Sequence, residues 1–177
     1  MFIRRGITMQ TVGGYIRRGV KIGIGTDTYP HNMIEEMRNA LYASRIVAKN
    51  VFDLRTSDIF NAATLGGAAA LQRHDIGRLA PGAKADLVMV DITAPSMRPL
   101  RDPIQSLVYA AADRAVRNVF VAGEQVVKDG RVTTMDYQTA SLELEETQRR
   151  AEPMVRQLDW AHRSHAELSP LVYRRDA

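Results

Sequence analysis

A short apolar segment, Val20–Thr26 with the sequence VKIGIGT, constrains the fold of this chain more than any other stretch. Its β-branched residues predict a buried strand, and Gly23 and Gly25 leave so little side-chain bulk that another backbone can approach closely. A buried strand must pair its backbone groups with neighbouring strands. The chain offers no suitable partner strands around it, so we expect them from a missing N-terminal part or from a partner molecule.

A lone carboxylate, Asp27, follows this segment, and His31 lies four residues further on. Residue type alone leaves two interpretations of Asp27 open: a functional acid at the tip of a buried strand, or a loop residue that caps the helical region behind it. His31 is either a group that touches a substrate or an ordinary polar residue ahead of a helix. Gly23 and Gly25 do not indicate a phosphate-binding loop, because the Lys-Ser/Thr pair and the full glycine spacing are missing.

Helical segments flank the predicted strand. Apolar spacing predicts a helix over residues 8–18, which Gly19 ends. Asn32, with Glu35 three residues later, matches a capping box and predicts a helix that ends near Asn50.

A further helix is predicted from about Thr56 to Ala69, with Asp58 placed favourably at the positive end of the helix dipole. It contains the small-residue sequence Gly66-Gly67-Ala68. We expect this patch to let another backbone pack closely against the helix.

From about residue 75 the pattern is that of an antiparallel β unit. The sequence ADLVMVDI at residues 85–92 predicts one strand, and residues 114–132 predict two or three more. Three turn signals accompany these strands: Pro81-Gly82, Ala122-Gly123 and Asp129-Gly130.

The C-terminal part, 138–168, returns to a helical pattern with an apolar stripe. Pro153 is expected to kink this helix or to split it in two. Trp160 and the methionines are expected to lie in the core. The amphipathic helix suits a contact within a homo-oligomer as well as a contact within one chain.

Composition excludes several classes of protein. The 177 residues are 45% hydrophobic and 25% charged, as in globular domains, and they include no cysteine, which excludes disulfides. No apolar run is long enough for a membrane span, and the N-terminus does not resemble a secretory signal, so a cytoplasmic protein without a membrane partner is expected. The net charge of +4 comes with only 6% aromatic residues, which argues against nucleic-acid binding.

Four motifs occur in an order that resembles one known family. They are GVKIGIGTDTYPHN followed by EEMR, then AATLGGAAAL, IGRLAPGAKADLVMVD and VRNVFVAGEQVVKDGRV. Together they are similar to the C-terminal portion of the metal-dependent amidohydrolase superfamily, in the branch of chlorohydrolases, cytosine-deaminase-like enzymes and thioadenosine deaminases. Each motif alone is weak, whereas four in the same order are specific.

The resemblance implies an α/β fold: a C-terminal fragment of a (β/α)8 TIM barrel, the C-terminal half of a small β-sandwich, and a C-terminal helix. The implied domains are 1–74, 75–137 and 138–177. On this resemblance Val20–Thr26 would be the last barrel strand, and Asp27 would match its terminal aspartate. Catalytic groups of such barrels lie at that end of the strands. The family aspartate is both a metal ligand and a proton shuttle, and His31 would touch a small-molecule substrate.

The resemblance also implies a divalent metal, zinc or iron, for which most ligands are absent from this chain. The family's His-x-His and its later barrel histidines have no counterpart here. His162 and His165 are three apart on a predicted helix, where a polar surface is a better explanation than a metal site, and His74 is expected to be a surface or packing residue. One aspartate cannot hold a catalytic metal, which needs about three protein ligands.

A whole (β/α)8 barrel takes about 250 residues, more than this chain contains. We therefore expect a truncated reading frame or fragment of a hydrolase of C–N or C–Cl bonds that is inactive by itself. The alternative is a non-catalytic or degenerate domain that folds only by pairing with another chain.

Overall fold

The computed structural model describes residue 6, residues 11–27 and residues 31–173. The chain divides into two compact units, Met1–Thr133 and Thr134–Ala177. The first is mixed α/β with a small antiparallel sheet, and the second is helical. None of the helices in the described ranges is both long and apolar enough to cross a bilayer.

The first unit contains five α-helices within its described part. They are α1 (Val12–Arg17), α2 (Met33–Ala48), α3 (Thr56–Asn61), α4 (Gly67–Ala70) and α5 (Pro103–Ala110). A π-helical turn, Ala62–Gly66, joins α3 to α4, so that the predicted helix from Thr56 to Ala69 is continuous but locally widened. Of the helix predicted over 8–18, residues 8–10 lie outside the described residues.

Helix α2 begins and ends as the sequence predicts. The Asn32 side chain accepts hydrogen bonds from the backbone N–H groups of Ile34 and Glu35, each at 3.1 Å. At the other end Lys49 takes the left-handed conformation with φ of 51°, which stops the helix. The N-cap therefore fixes where α2 begins.

Asn32→Ala is expected to lower the free energy of unfolding by about 1 kcal/mol, because two N–H groups of the first turn lose their acceptor. Asn32→Asp keeps a capping oxygen and serves as the matched control, with a stability close to that of the wild type. Urea denaturation measures both. Equal loss in the two variants would contradict the capping role.

The predicted strand Val20–Thr26 is not a strand in the structure, which corrects the sequence-based assignment. A strand needs a hydrogen-bonded neighbour, and all four strands in the described ranges lie between Leu87 and Val132. The segment instead runs beside the π-helical turn, and the Ile24 N–H donates to the Ala62 carbonyl at 3.2 Å. The backbone of this apolar, glycine-rich segment thus packs directly against the helical region that contains the π-helical turn.

The sheet has the order β1-β2-β3-β4, with every pair antiparallel. Its strands are β1 (Leu87–Val90), β2 (Val116–Val121), β3 (Glu124–Lys128) and β4 (Arg131–Val132). Both hairpins turn at the predicted pairs, and all four turn residues have positive φ: Ala122, Gly123, Asp129 and Gly130. Two successive positive φ values are the signature of a type I′ turn.

The turn predicted at Pro81-Gly82 is also present. Gly82 has φ of 80°, and the Ala83 N–H donates to the Ala80 carbonyl at 3.0 Å. This agrees with a type II turn, in which the third residue needs a positive φ.

The core of the first unit lies among α2, α3, α5 and the segments before and after α5. Its fully buried large side chains are Leu41, Leu54, Ile59, Met97 and Val108. Val12 and Ile16 of α1 and Ile24 of the extended segment pack against this cluster while staying partly exposed. The core therefore anchors the chain on both sides of residues 18–23.

The second unit contains α6 (Tyr137–Ala151), a 3-10 turn at Glu152–Met154, α7 (Val155–Leu158) and α8 (His165–Leu168). The break at Pro153 confirms the predicted interruption. Trp160 is 86% exposed, so its assignment to the core is wrong, and the Arg163 guanidinium lies 5.6 Å from its ring centroid. Helix α6 buries none of its residues, which means that this unit offers Trp160 no apolar layer to pack into.

The methionines divide between core and surface. Met37 and Met97 are buried, as predicted, whereas Met89, Met135 and Met154 are more than half exposed. The exposed three belong to the sheet and to the second unit, where no further layer covers them within the described residues.

Candidate functional site

Asp27 lies at the end of the extended segment and is exposed to solvent. Its φ is 60°, in the left-handed region that aspartate tolerates better than most residues because its short side chain bonds locally. The backbone therefore leaves the extended conformation at Asp27. Its exposed carboxylate is accessible to a ligand.

His31 is exposed and is tied back to the end of the extended segment. Its Nδ1 lies 3.0 Å from Oγ1 of Thr26. The structure thus brings the Thr26 hydroxyl and the His31 imidazole together. Asp27 lies between these two residues in the sequence. Sequence reasoning named Asp27 and His31 but did not single out Thr26, whose only signal was its place beside the aspartate.

Contact between backbones holds the segment that leads to Asp27. A Cβ added to Gly66 would lie 2.0 Å from the carbonyl oxygen of Ile22, and one added to Gly23 would lie 3.2 Å from the carbonyl oxygen of Gly66. Both contacts are with backbone atoms. Position 66 therefore accepts no residue larger than glycine, whereas a Cβ at position 23 would make a tight contact. This confirms the close backbone approach predicted from the Gly66-Gly67-Ala68 patch.

A second anchor acts through α1, which ends ten residues before Asp27. Arg17 Nη2 donates to Asp53 Oδ1 and Nη1 donates to the Asp53 carbonyl, both at 2.7 Å. The Ser44 hydroxyl donates to Asp53 Oδ2 at 2.7 Å and accepts from the Gly13 N–H at 3.2 Å. Asp53 thus links α1, α2 and the loop before α3 through one carboxylate.

The charge of Asp53 is held inside the protein, since the residue is only 5% exposed. Burial raises the pKa of this carboxyl, but the hydrogen bonds from Ser44 and Arg17, together with the Arg17 charge, outweigh burial and bring the pKa below its ordinary value. Sequence reasoning missed this network, because Arg17 and Asp53 are 36 residues apart and neither lies in a motif.

The other histidines stand apart from Asp27 in sequence and have separate roles. His74 lies exposed after α4. His162 follows α7 with φ of 53°, and His165 opens α8, so the two do not share one helix. His165 Nε2 lies 3.8 Å from Glu152 Oε1. A surface role, rather than a shared metal, agrees with this arrangement.

Ligand-forming side chains do not cluster as in a catalytic metal centre. Over residues 11–27 and 31–173, no three His, Asp or Glu side chains lie close enough together to hold a metal ion. Asp27 alone therefore does not fit a catalytic zinc or iron, which needs about three protein ligands.

The first unit has two open cavities among its described residues. One, of about 250 Å³, is lined by residues that include Asp91, Ser96, Arg114 and Arg117. The other, of about 530 Å³, is lined by Asn32, the residue after His31, and by residues that include Glu35 and Arg38. Neither is lined by Asp27 or His31, so the candidate site is a surface group rather than an enclosed pocket.

Comparison with known proteins gives this group a family context. The family model described as "Amidohydrolase family" matches residues 4–126. A 5-methylthioadenosine/S-adenosylhomocysteine deaminase of Nitratidesulfovibrio vulgaris is 37% identical over 138 residues, covering 76% of this chain and 31% of the deaminase. The chain thus spans about a third of the length of the curated relatives it matches.

Solved structures agree with the sequence comparison. An adenosine deaminase from Xanthomonas campestris with bound zinc superposes with a TM-score of 0.70 at 36% identity, over 78% of this chain and 32% of the other. An atrazine chlorohydrolase from Arthrobacter aurescens, complexed with zinc, gives a TM-score of 0.72 at 23% identity, over 81% of this chain and 33% of the other. The second likeness establishes similarity of fold alone.

These relatives are hydrolases, and the deaminases among them act on C–N bonds. The resemblance inferred from the four sequence motifs is therefore confirmed. Because the family model covers more than half of its residues, this chain belongs to the amidohydrolase family.

Proposed function

We propose that this chain supplies part of the active site of a metal-dependent hydrolase that removes an amino group, or a chloride, from a small cyclic or heteroaromatic substrate. The observation that carries the proposal is the exposed Asp27 at the end of a segment fixed by backbone packing, in a chain that is 36% identical to a solved adenosine deaminase. Deamination is the first choice, because the relatives at 30% identity or more are named as deaminases.

The role proposed for Asp27 is proton transfer. As a water molecule attacks the substrate carbon, the carboxylate accepts a proton from it, a new C–O bond forms, and the π pair of the C=N bond moves onto the ring nitrogen, from which it returns when the amino group leaves. The carboxylic acid then gives the proton to the leaving nitrogen as the C–N bond breaks, so that ammonia departs. A carboxylate within hydrogen-bond reach of both atoms can perform both transfers.

A divalent metal, zinc or iron, would share Asp27 with ligands beyond those described. When bound, the metal would polarise the water that attacks the substrate. The described residues do not fit the metal by themselves, so metal analysis of the purified 177-residue chain is expected to find no stoichiometric tightly bound ion.

The proposed architecture is the last part of a (β/α)8 barrel over 1–74, part of a β-sandwich over 75–137 and a helical extension over 138–177. In this arrangement Val20–Thr26, which forms no strand within the described residues, would become one by pairing with barrel strands outside this chain. Asp27 would then lie at the C-terminal end of that strand, where barrel enzymes place catalytic groups. The TM-scores of 0.70 and 0.72 support this placement.

A chimera tests the function. The whole chain replaces the aligned part of the Nitratidesulfovibrio vulgaris deaminase, and ammonia release from 5-methylthioadenosine is measured. We expect activity, and a loss of about a thousandfold in kcat for Asp27→Asn, in line with a lost acid–base group. Glu124→Gln, which removes an exposed carboxylate on β3, is the control and should retain the activity.

Two outcomes would contradict the proposal. A folded chimera without activity would favour the alternative, a non-catalytic domain that pairs with another chain. An active chimera that is indifferent to Asp27→Asn would remove Asp27 from the reaction.

A further inference from the structure

The contact between Thr26 and His31 involves the residue directly before Asp27, the carboxylate on which the proposed function depends. Oγ1 of Thr26 and Nδ1 of His31 are 3.0 Å apart, a normal hydrogen-bond distance. Thr26 is half-buried, whereas Asp27 and His31 are exposed. The threonine is therefore the fixed partner, and the imidazole is the group that it orients.

Thr26 is a suitable anchor because its side chain and the segment before it are both restricted in conformation. Its side chain is β-branched, which restricts χ1. The segment before it is held by the hydrogen bond from Ile24 to Ala62 and by the close approach of Ile22 to Gly66. On the other side, His31 directly precedes Asn32, the N-cap of α2. Both ends of the Thr26–His31 contact are thus attached to ordered structure.

The contact decides which imidazole nitrogen is available to a ligand. With Nδ1 engaged by the threonine, Nε2 is the nitrogen that can meet a substrate, and the partner of one nitrogen sets the protonation of the other. The 3.0 Å contact fits a Thr26 hydroxyl that donates to Nδ1, and in that arrangement the proton of the neutral ring lies on Nε2. His31 then offers an N–H donor.

We propose that Thr26 is a positioning residue that holds His31 with Nε2–H directed to a hydrogen-bond acceptor of the substrate, a ring nitrogen or hydroxyl oxygen of a nucleoside-like molecule. This inference rests on the proposed function, which supplies the class of substrate. It deepens the proposal by naming the residue that recognises one hydrogen-bond acceptor of that substrate. Thr26 touches no reacting atom in this scheme and acts through His31.

Nitrogen-15 NMR of the intact 177-residue chain at pH 8 tests the positioning directly. The chain has four histidines, and comparison with His31→Asn assigns the His31 ring signals. We expect the Nε2–H form in the wild type and in Thr26→Ser, and a shift toward the free-imidazole mixture in Thr26→Val, which keeps the shape but lacks the hydroxyl. A spectrum of His31 that Thr26→Val leaves unchanged, or an Nδ1–H form in the wild type, would overturn the inference.

Kinetics of the chimera test the link to substrate. Thr26→Val should raise KM for 5-methylthioadenosine about fivefold with kcat nearly unchanged, as expected for one neutral hydrogen bond, and Thr26→Ser should restore it. If Asp27→Asn abolishes activity while Thr26→Val leaves KM unchanged, this inference fails and the proposed function stands. If Asp27→Asn has no effect, the proposed function fails, while the NMR result still decides the positioning role.

Discussion

Gly66→Ala is expected to lower the free energy of unfolding by about 3 kcal/mol, the upper range for forcing extra atoms into a packed interior. The added Cβ would lie 2.0 Å from the carbonyl oxygen of Ile22. A flexible side chain could move aside, but this neighbour is backbone, so either the segment leading to Asp27 or the π-helical turn must shift. Urea denaturation at pH 7 measures the loss.

Gly67→Ala is the matched control for Gly66→Ala. The two glycines are adjacent and both lie in helical conformation, yet a Cβ on Gly67 meets nothing within 4 Å. Alanine is the better helix former, so the control should be as stable as the wild type or more stable by up to about 1 kcal/mol. Equal destabilisation by both substitutions would mean that the close approach of Ile22 to Gly66 does not exist in solution.

Asp53→Asn is expected to destabilise the chain by about 2 kcal/mol at pH 7, because it removes a buried charged acceptor shared by Arg17 and Ser44. The side chain of Arg17 is 59% exposed, so water screens its charge, and most of the loss comes from the hydrogen bonds rather than from Coulomb attraction. Asp75→Asn, at the exposed pair of Arg73 and Asp75, is the control and should cause no measurable loss.

Acid should reduce the difference in stability between the wild type and Asp53→Asn. The pKa of Asp53 is lowered in the folded state, so its stabilisation is complete above the unfolded-state value of about 3.9 and is lost as the pH falls through the folded value. Denaturation at pH 7 and at about pH 3 should show a difference in the free energy of unfolding that narrows on acidification. A gap that widens on acidification would contradict the assignment of the network to the ionised carboxylate.

Local chemistry made part of the fold predictable. The turn at Asp129-Gly130 depends on two residues that tolerate positive φ, and the start of α2 depends on one side chain, Asn32, beside its own helix. Such features need no knowledge of the rest of the molecule. The close packing at Gly66 was also predictable from the sequence, since only a residue without a side chain allows another backbone to approach so closely.

The features that sequence reasoning missed depend on distant partners. Val20–Thr26 has the composition of a strand, but it forms none here because the described residues do not supply the neighbouring strands that it needs. Arg17 and Asp53 meet across 36 residues, and burial of Trp160 required an apolar layer that its unit does not provide. At the candidate site, the resemblance singled out Asp27, whereas the hydroxyl of Thr26 acquires meaning only from its distance to His31.

The two attachments of the stretch between Arg17 and Ile24 have a consequence for its length. Arg17 is fastened to Asp53, and Ile24 is fastened to Ala62, so the six residues between them must bridge a fixed gap. Inserting or deleting one residue there would shift the residues of this stretch relative to the π-helical turn. The carbonyl group of Ile22 would then no longer lie against Gly66. Members of the family that keep both fastenings should therefore conserve the number of residues in this bridge. Side chains should vary less at Gly23, where a Cβ would lie 3.2 Å from the carbonyl oxygen of Gly66, than at the exposed positions.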